Sequence, residues 1–220
     1  GFNHINDIVQ DPANVNLLWV AGFHGLYLFN KAEKQFTKFT YPGTGSVADI
    51  LITDLELQPG GLMWVGTWSK GMKCFNIKER KYVSRPIPLF ADVVNDIKLV
   101  NDSTLYAACL SQGLVRYHIP SNTAENITPV MPPASQKQRS PAIQKISVTP
   151  DAGIFAGGNF YLFQQHPFYK RLEKNINLEN NGADQLNGIV WDGSAKEYWF
   201  STYVAIYNMD EKFVMRKRYP

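Results

Sequence analysis

The chain has 220 residues, of which 45% are hydrophobic and 19% charged, as in an ordinary globular protein that can bury a core. The net charge of +3 is small, and no basic stretch interleaves with aromatics, so we expect no nucleic-acid partner. No apolar run is long enough to span a bilayer, and we expect neither a signal peptide nor membrane contact by this region.

The first two stretches of the chain repeat one pattern of four short apolar segments. The first stretch reads INDI at 5–8, LLWVAG around Trp19, GLYLFN from Gly25, then FTKFTY. The second reads ITDL at 52–55, LMWVGT around Trp64, GMKCFN from Gly71, then YVSRPI. Turn residues such as Asp11-Pro12 and Pro59-Gly60-Gly61 separate the segments, so each stretch predicts a four-stranded meander.

Three further stretches keep the outline with substitutions. Their second segments are TLYAAC around Tyr106, GIFAGG around Phe155 and EYWFST around Trp199, which places the five anchor residues 45, 42, 49 and 44 residues apart. Their first segments are VNDI, IQKI and LNGI, and their last segments are AENITP, YKRLEK and FVMRKR. Two polar stretches, 129–142 and 175–185, are interpreted as surface loops between units.

Five four-stranded units of this length, without sustained helical periodicity, indicate an all-β fold, a β-propeller of four-stranded blades. We expect blades at about 3–43, 49–90, 92–131, 140–175 and 184–220. The pattern is compatible with a small five-bladed ring or with part of a larger ring.

The pattern I-x-x-I-x-x-D, LWVGT, GL-x-x-FN resembles the two-component regulator propeller repeat, best in residues 5–30 and 52–76. In bacteria of the Bacteroides type, such repeats form the extracytoplasmic sensor region of membrane-bound hybrid histidine kinases. The resemblance implies a periplasmic or extracellular ligand sensor that is not itself an enzyme. Its implied partners are downstream signalling domains or missing blades of the same protein, and a homodimer is also possible.

Loops between the second and third strands of each unit are the expected ligand-binding positions, because they should open on the face where the innermost strand begins. An aromatic ring can stack on a sugar ring while amide, imidazole and ammonium groups bind its hydroxyls. The predicted ligand is a small polar molecule such as an oligosaccharide. The alternative is that these rings pack between blade tops. The loop residues that carry this prediction are Phe23, His24, Trp68, Lys70, Gln112, Asn159 and Tyr203.

The innermost strands repeat polar residues at two adjacent registers. The first register holds Asn6, Thr53, Asn95, Gln144 and Asn187, and the second holds Asp7, Asp54, Asp96, Lys145 and Gly188. We add Asn6 and Asn95 to the predicted ligand set. Paired carboxylates here could serve glycoside hydrolysis. Recurrence in every unit favours instead a structural role, in which each carboxylate accepts a neighbouring backbone N–H.

No other chemistry is indicated. The four histidines lack metal-ligand spacing, so we expect no metal and no cofactor. Cys74 and Cys109 are expected to be buried free thiols. Three hypotheses remain: a sensor propeller, a propeller glycosidase or lyase using the axial carboxylates, and a protein-interaction scaffold.

Overall fold

The computed structural model describes residues 4–42, 50–89, 93–127, 142–148, 153–158, 161–165, 173–177, 186–211 and 214–220. Within these ranges the chain forms five four-stranded sheets and no helix, which confirms the all-β prediction. In each sheet the strands are neighbours in chain order, as in a meander. None of the described segments is a helix long and apolar enough to cross a membrane.

The strands of the first three sheets follow the predicted segments. The first sheet contains β1 (Ile5–Gln10), β2 (Leu17–Gly22), β3 (Gly25–Asn30) and β4 (Gln35–Phe39). The second contains β5 (Ile52–Gln58), β6 (Leu62–Thr67), β7 (Met72–Asn76) and β8 (Lys81–Tyr82). The third contains β9 (Val94–Asn101), β10 (Thr104–Cys109), β11 (Gly113–His118) and β12 (Thr123–Ile127).

The last two sheets repeat the arrangement in the C-terminal part of the chain. The fourth sheet contains β13 (Ile143–Val148), β14 (Ile154–Gly158), β15 (Tyr161–Gln165) and β16 (Glu173–Asn177). The fifth contains β17 (Leu186–Asp192), β18 (Glu197–Thr202), β19 (Ile206–Asp210) and β20 (Met215–Tyr219).

One strand lies later in the chain than the sequence pattern predicts. YKRLEK, residues 169–174, was the expected fourth strand of the fourth unit, whereas β16 runs from Glu173 to Asn177. Ile176 pairs opposite Leu162 in this register, so the ladder includes an isoleucine that the sequence pattern assigns to a loop. The interpretation of 175–185 as a loop is therefore wrong for residues 175–177, and the rest of that stretch lies outside the described residues, as does 129–141.

The chain divides into two compact units, 1–105 with 117–124 and 106–116 with 125–220. In the first unit, β2 and β3 bury Trp19 and Leu26 against Ile52, Leu55 and Phe75 of the second sheet. In the second unit, Phe155 of the fourth sheet packs with a cluster from the fifth, which includes Tyr198, Phe200 and Tyr207. Both cores therefore lie between the faces of successive sheets, where large aromatic side chains fill the gap.

Two of the three tryptophans that anchor the repeat, Trp19 and Trp64, are core residues. Trp19 and Trp64 are 1% and 0% exposed, and their indole N–H groups donate to the Asp11 carboxylate at 2.8 Å and to the Gln58 amide oxygen at 3.0 Å. Each indole thus buries its ring without leaving its one donor unsatisfied. Trp199 donates to Glu197 at 2.9 Å in the same way but is only partly buried.

The repeated Phe-Asn ending of the third strand has a turn-forming role. Asn30 accepts the backbone N–H groups of Ala32 at 3.0 Å and Glu33 at 3.3 Å, and Asn76 accepts that of Glu79 at 2.9 Å. These side-chain bonds shape the turn into the fourth strand. The turns close on Lys34 and Arg80, whose φ values of 55° and 53° lie in the left-handed region.

Both cysteines are buried free thiols, as predicted. Burial raises the pKa of Cys74 to about 11, with a smaller opposing effect of the Arg85 charge, and burial raises that of Cys109 to about 12. The two side chains therefore act as small apolar core residues.

Candidate functional site

The loops between the second and third strands lie at the sheet end where the first strand begins. In the first sheet the backbone N–H of Phe23 donates to the His4 carbonyl at 3.3 Å, and in the second that of Trp68 donates to the Leu51 carbonyl at 3.0 Å. Each bond ties the loop to the residue that immediately precedes the first strand of its sheet. The predicted location of these loops is therefore confirmed for both sheets.

A tight hydrogen-bonded turn presents Trp68 to solvent. The Thr67 backbone N–H and hydroxyl both donate to the Gly71 carbonyl, at 3.1 Å and 2.7 Å, and the Lys70 N–H donates to the Thr67 hydroxyl at 2.9 Å. Gly71 has a φ of 64°, a left-handed value that glycine adopts without steric cost, so the loop can return directly into β7. Trp68 and Lys70 consequently point away from the core, and Trp68 is 50% exposed.

The first-sheet loop exposes a phenylalanine beside two imidazoles. Phe23 is 48% exposed, and its ring centroid lies 5.3 Å from that of His24, edge to face, and 6.4 Å from that of His4. The Tyr27 hydroxyl donates to the His24 carbonyl at 3.3 Å, which holds the loop against the start of β3. The loop therefore combines one accessible aromatic face with polar ring nitrogens.

The fifth sheet, which lies in the second compact unit, has a turn at Thr202 similar to the turn at Thr67 of the second sheet. Thr202 donates to the Ala205 carbonyl through its N–H at 2.9 Å and its hydroxyl at 3.0 Å, and the Ala205 N–H donates back to that hydroxyl at 3.1 Å. Tyr203, at the position of Trp68, is 69% exposed. Gln112, in the loop of the third sheet, is partly buried. Asn159 lies outside the described residues, so its predicted role stays a prediction.

The first strands of the first two sheets use their repeated polar pair to join the next sheet. A β-bulge interrupts β1 between Ile5 and Asp7, and the extra residue is Asn6. The Asn6 amide nitrogen donates to the Ile52 carbonyl at 2.6 Å, and the Asp7 carboxylate accepts the Leu55 N–H at 3.0 Å. Because a bulge re-aims the side chains around it, two successive residues can both bond the next strand. We call this pair of bonds the clasp.

The second sheet holds the third by the same device. Thr53 is the extra residue of the bulge in β5, and its hydroxyl donates to the Val94 carbonyl. The Asp54 carboxylate accepts the Ile97 N–H at 2.8 Å. The prediction that the recurring aspartates accept neighbouring backbone N–H groups is therefore confirmed for Asp7 and Asp54.

Gly66, near the end of β6, makes room for the bulge in β5. A Cβ added at Gly66 would lie 2.8 Å from the Thr53 hydroxyl oxygen and 3.2 Å from the Val94 carbonyl oxygen. A larger side chain there would push the clasp apart. The absence of a side chain at Gly66 thus serves the packing of the second sheet against β9.

Two residues predicted to bind ligand, Asn6 and Asn95, have partners within the chain. The amide nitrogen of Asn6 is engaged by Ile52, so it serves the joint between sheets in this structure. Asn95 likewise has an interaction partner within the chain. Ligand binding by Asn6 and Asn95 stays a prediction, and the loop residues form the stronger candidate site.

A charged cluster next to the clasp escaped the sequence analysis. The Lys98 ammonium lies 3.5 Å from Asp96, 3.7 Å from Glu56 and 4.0 Å from Asp54. Glu56 also accepts the Leu99 N–H at 2.8 Å, which adds a third bond from β5 to β9. Alternation along the two strands, Asp54-x-Glu56 and Asp96-x-Lys98, was the signal that could have revealed it.

Burial is the main influence on the carboxyl groups of this cluster. It raises the pKa of Asp54 well above its usual range, and the neighbouring Asp96 charge raises it further while Lys98 opposes the shift. Burial also raises the pKa of Glu56, again opposed by Lys98. The pKa of Lys98 is raised because the attraction of the surrounding carboxylates outweighs its own burial. These carboxylates are committed to backbone N–H groups and to Lys98, as is expected of a structural joint.

Within the described ranges, no group of histidine, cysteine and carboxylate side chains is arranged to hold a metal ion. The candidate site is therefore the set of loop residues between second and third strands. In the first unit these are the pair Phe23 and His24 and the pair Trp68 and Lys70.

No protein-family model and no curated protein sequence matches the chain significantly. Solved structures do resemble it. The extracellular domain of BT4673 from B. thetaiotaomicron, described as a one-component system, aligns with a TM-score of 0.78 at 18% identity, over 97% of this chain and 27% of that one. A second structure of that domain, described as part of a hybrid two-component system, gives 0.77 at 18% identity, over 98% and 28%.

The extracellular domain of BT3049 from the same organism, also described as a hybrid two-component system, aligns with a TM-score of 0.76 at 17% identity, over 97% of this chain and 28% of that one. The chain therefore spans little more than a quarter of the length of these neighbours. Its fold is that of a segment of the extracellular domains of Bacteroides two-component systems.

Proposed function

We propose that this chain is a ligand-sensing β-propeller segment of a signalling protein and that it acts outside the inner membrane. Exposed aromatic residues at one repeated loop position carry the proposal. Phe23, Trp68 and Tyr203 are 48%, 50% and 69% exposed, whereas the anchor tryptophans Trp19 and Trp64 are buried. Binding residues lie disproportionately on loops that a rigid scaffold positions, and here an exposed aromatic occupies the same loop position in three sheets.

The chemistry of the first-unit loops suits a carbohydrate or another small polar ligand. The ring of Trp68 offers a face for stacking, and Lys70 lies on the same exposed turn. Lys73, on the adjoining strand, has its pKa lowered by burial and then by the Lys70 charge, so two ammonium groups lie near each other. This local positive charge favours a ligand with carboxylate or sulfate groups over a neutral one.

The likeness to extracellular domains of two-component systems supports the signalling part of the proposal. In this mechanism the chain is not catalytic. Ligand contacts would favour one packing between this segment and the elements that follow it in the full protein, and the resulting population shift would bias a kinase. The same likeness supports a location outside the inner membrane, in the periplasm or beyond.

A thermal-shift screen tests the proposal. The chain is heated with neutral and acidic oligosaccharides, because a ligand that binds only the native state raises the melting temperature. The Trp68→Ala variant keeps the backbone N–H that bonds Leu51, so we expect it to fold and to lose the shift. Phe36→Ala is the matched control, because Phe36 is a 43% exposed aromatic on β4, away from the loops.

We expect the control to respond to ligand as the original chain does. A shift that survives in Trp68→Ala would contradict the assignment of the loop site. The absence of a shift with any oligosaccharide, from a well-folded protein, would contradict carbohydrate sensing.

A further inference from the structure

Lys73 lies at the loop end of the core between the first two sheets, within the first compact unit. In the ladder of β6 and β7 it is paired with Val65, and cross-strand partners lie on the same face of a sheet. Val65 and Phe75, which is two residues further along β7, both belong to that core. Lys73 therefore continues the core face toward the turn that exposes Trp68, and its side chain is partly buried.

Two tyrosines form an aromatic wall beside the Lys73 side chain. The Lys73 ammonium lies 5.3 Å from the centroid of the Tyr41 ring, which meets the Tyr82 ring edge to face at 5.0 Å. Tyr82 in turn packs edge to face on the buried ring of Phe75, at 5.1 Å between centroids. Core packing thus holds the wall, and the ammonium group lies against a fixed aromatic surface.

The charge of Lys73 is specific to the second sheet. The equivalent position pairs with the residue that follows the anchor of each second strand. In the first, fourth and fifth sheets this position carries an aromatic residue, namely Tyr27, Phe163 and Tyr207. In the second sheet it carries Lys73, opposite Val65. Because the repeat is built elsewhere without an ammonium group at this position, the scaffold does not require the charge.

No carboxylate in the described part of the chain forms an ion pair with Lys73 or with the neighbouring Lys70. Burial, and then the Lys70 charge, lower the pKa of Lys73. The pKa of Lys98 is raised instead, because three carboxylates surround that ammonium group. A partly buried ammonium without an anionic partner is unfavourable in the folded state. An anion bound beside Lys70 and Lys73 would remove this cost.

We propose that Lys73, together with Lys70, binds the anionic group of an acidic oligosaccharide and sets the specificity of the ligand site. The inference rests on the proposed function, because it takes the turn that exposes Trp68 as the place where the sugar binds. Lys70 and Trp68 are two residues apart on that turn, so the charge lies beside the stacking surface. Carboxylate and sulfate oxygens accept charge-assisted hydrogen bonds from ammonium groups, and these are about twice as strong as bonds between neutral groups.

Matched pairs of ligands test the inference on the original chain. Uronate oligosaccharides are compared with their methyl esters, and sulfated oligosaccharides with their desulfated forms, so the members of a pair differ in charge. Calorimetric titration measures the dissociation constants. We expect the acidic member of one pair to bind about tenfold more tightly than its neutral counterpart, and added salt to reduce the difference. The pair that shows the preference identifies the bound group as carboxylate or sulfate.

Substitutions then assign the preference to Lys73. Lys73→Met removes the charge and keeps an unbranched side chain against Tyr41, so we expect acidic ligands to bind about tenfold more weakly and neutral ligands within about twofold. Lys73→Arg keeps the charge and should retain the preference. Lys78→Met is the matched control, because it removes an exposed lysine from the turn at the far end of β7. We expect it to bind acidic ligands within about twofold of the original chain.

A further measurement needs no variant. NMR titration of the lysine side-chain signals should show the pKa of Lys73 rising by about one unit or more in the saturated acidic complex, and staying constant in the neutral one. A constant pKa in the acidic complex would overturn the inference.

Two other results would overturn the inference and leave the proposed function intact. One is equal binding of acidic and neutral ligands that Trp68→Ala abolishes. The other is unchanged binding of acidic ligands by a folded Lys73→Met variant. If no oligosaccharide of either kind binds the folded chain, the proposed function fails and this inference fails with it.

Discussion

Trp64 and Trp68 lie four residues apart, but one is buried in the core and the other is exposed on a loop. Trp64 is fully buried, has an indole N–H bonded to Gln58, and has its ring centroid 5.4 Å from that of Tyr117. Trp68 is half exposed on a turn that Thr67 and Gly71 hold closed. The first belongs to a pattern that recurs along the chain, whereas the second occupies a position where residue type varies between sheets.

The comparison separates the structural part of the repeat from its variable part. Positions that recur, such as the anchor tryptophan, the clasp aspartate and the Phe-Asn turn, are engaged in packing or in backbone hydrogen bonds. The exposed loop position carries Phe23, Trp68 or Tyr203 according to the sheet. In a repeat fold the recurring residues build the scaffold, and specificity is expected at exposed positions where the repeat does not impose a residue.

The largest expected effect is on the free energy of unfolding, and it tests whether Trp64 is structural and Trp68 is not. Trp64→Ala should destabilise the protein by about 3–5 kcal/mol, because it opens a large cavity in a packed core and leaves Gln58 without its donor. Trp68→Ala should change the free energy of unfolding by less than about 0.5 kcal/mol. Urea denaturation of both variants provides the measurement. Comparable losses would show that Trp68 belongs to the core and would remove it from the candidate site.

The charged cluster gives the next largest effect. Lys98→Met should destabilise the protein by about 2–3 kcal/mol, because it leaves Asp54, Glu56 and Asp96 close together without their cation. The control is Lys81→Met, which breaks the pair with Glu79 at 2.8 Å on the surface and should cost less than about 1 kcal/mol. Equal effects in a denaturant titration would contradict a structural role for the cluster.

The clasp itself is tested by a pair of substitutions at Asp7. Asp7→Ala removes the acceptor of the Leu55 N–H and should cost about 1–2 kcal/mol. Asp7→Asn retains an oxygen at the same place and should lose less than the alanine variant. Hydrogen exchange at the Leu55 amide is the specific measurement, since the bond should be lost in one variant and kept in the other. Indistinguishable exchange in the two variants would argue against the clasp.

Much of the architecture could be predicted from the sequence because each repeat consists of short, local sequence patterns. Apolar segments and turn residues located the strands, and the recurring aspartate suggested a bond to backbone. The bulge at Asn6 and the bond to Ile52, 46 residues away, depend on how two sheets pack, which no local pattern records. β16 was misplaced for a related reason, because its apolar content is low and Ile176 is identified only by its pairing with Leu162.

The candidate site was predictable in location but not in detail. The loop position follows from strand order, and the exposure of Trp68 agrees with its place between strand ends. The Lys98 cluster was missed because Glu56 and Lys98 do not recur in the other units, so a search for repeated positions excluded them. A comparison of alternate residues on the first strands of neighbouring sheets would have indicated the contact between Glu56 and Lys98.

The smallest expected effect concerns pH. Because the folded state raises the pKa of Asp54 above its unfolded value, the folded protein holds this proton more tightly than the unfolded chain does. The contribution of Asp54 to stability is therefore greatest below the unfolded pKa, about 3.9, and falls as pH rises through the raised folded value. Asp54→Asn keeps an oxygen for the Ile97 N–H but cannot ionise. Relative to the original chain, the variant should gain stability as pH rises from 4 toward neutrality, in urea titrations at successive pH values. Asp102→Asn, an exposed carboxylate variant, controls for the loss of one negative charge. A stability difference between Asp54→Asn and the original chain that does not vary with pH would mean that burial at this joint leaves the carboxyl group as free to ionise in the folded state as in the unfolded chain.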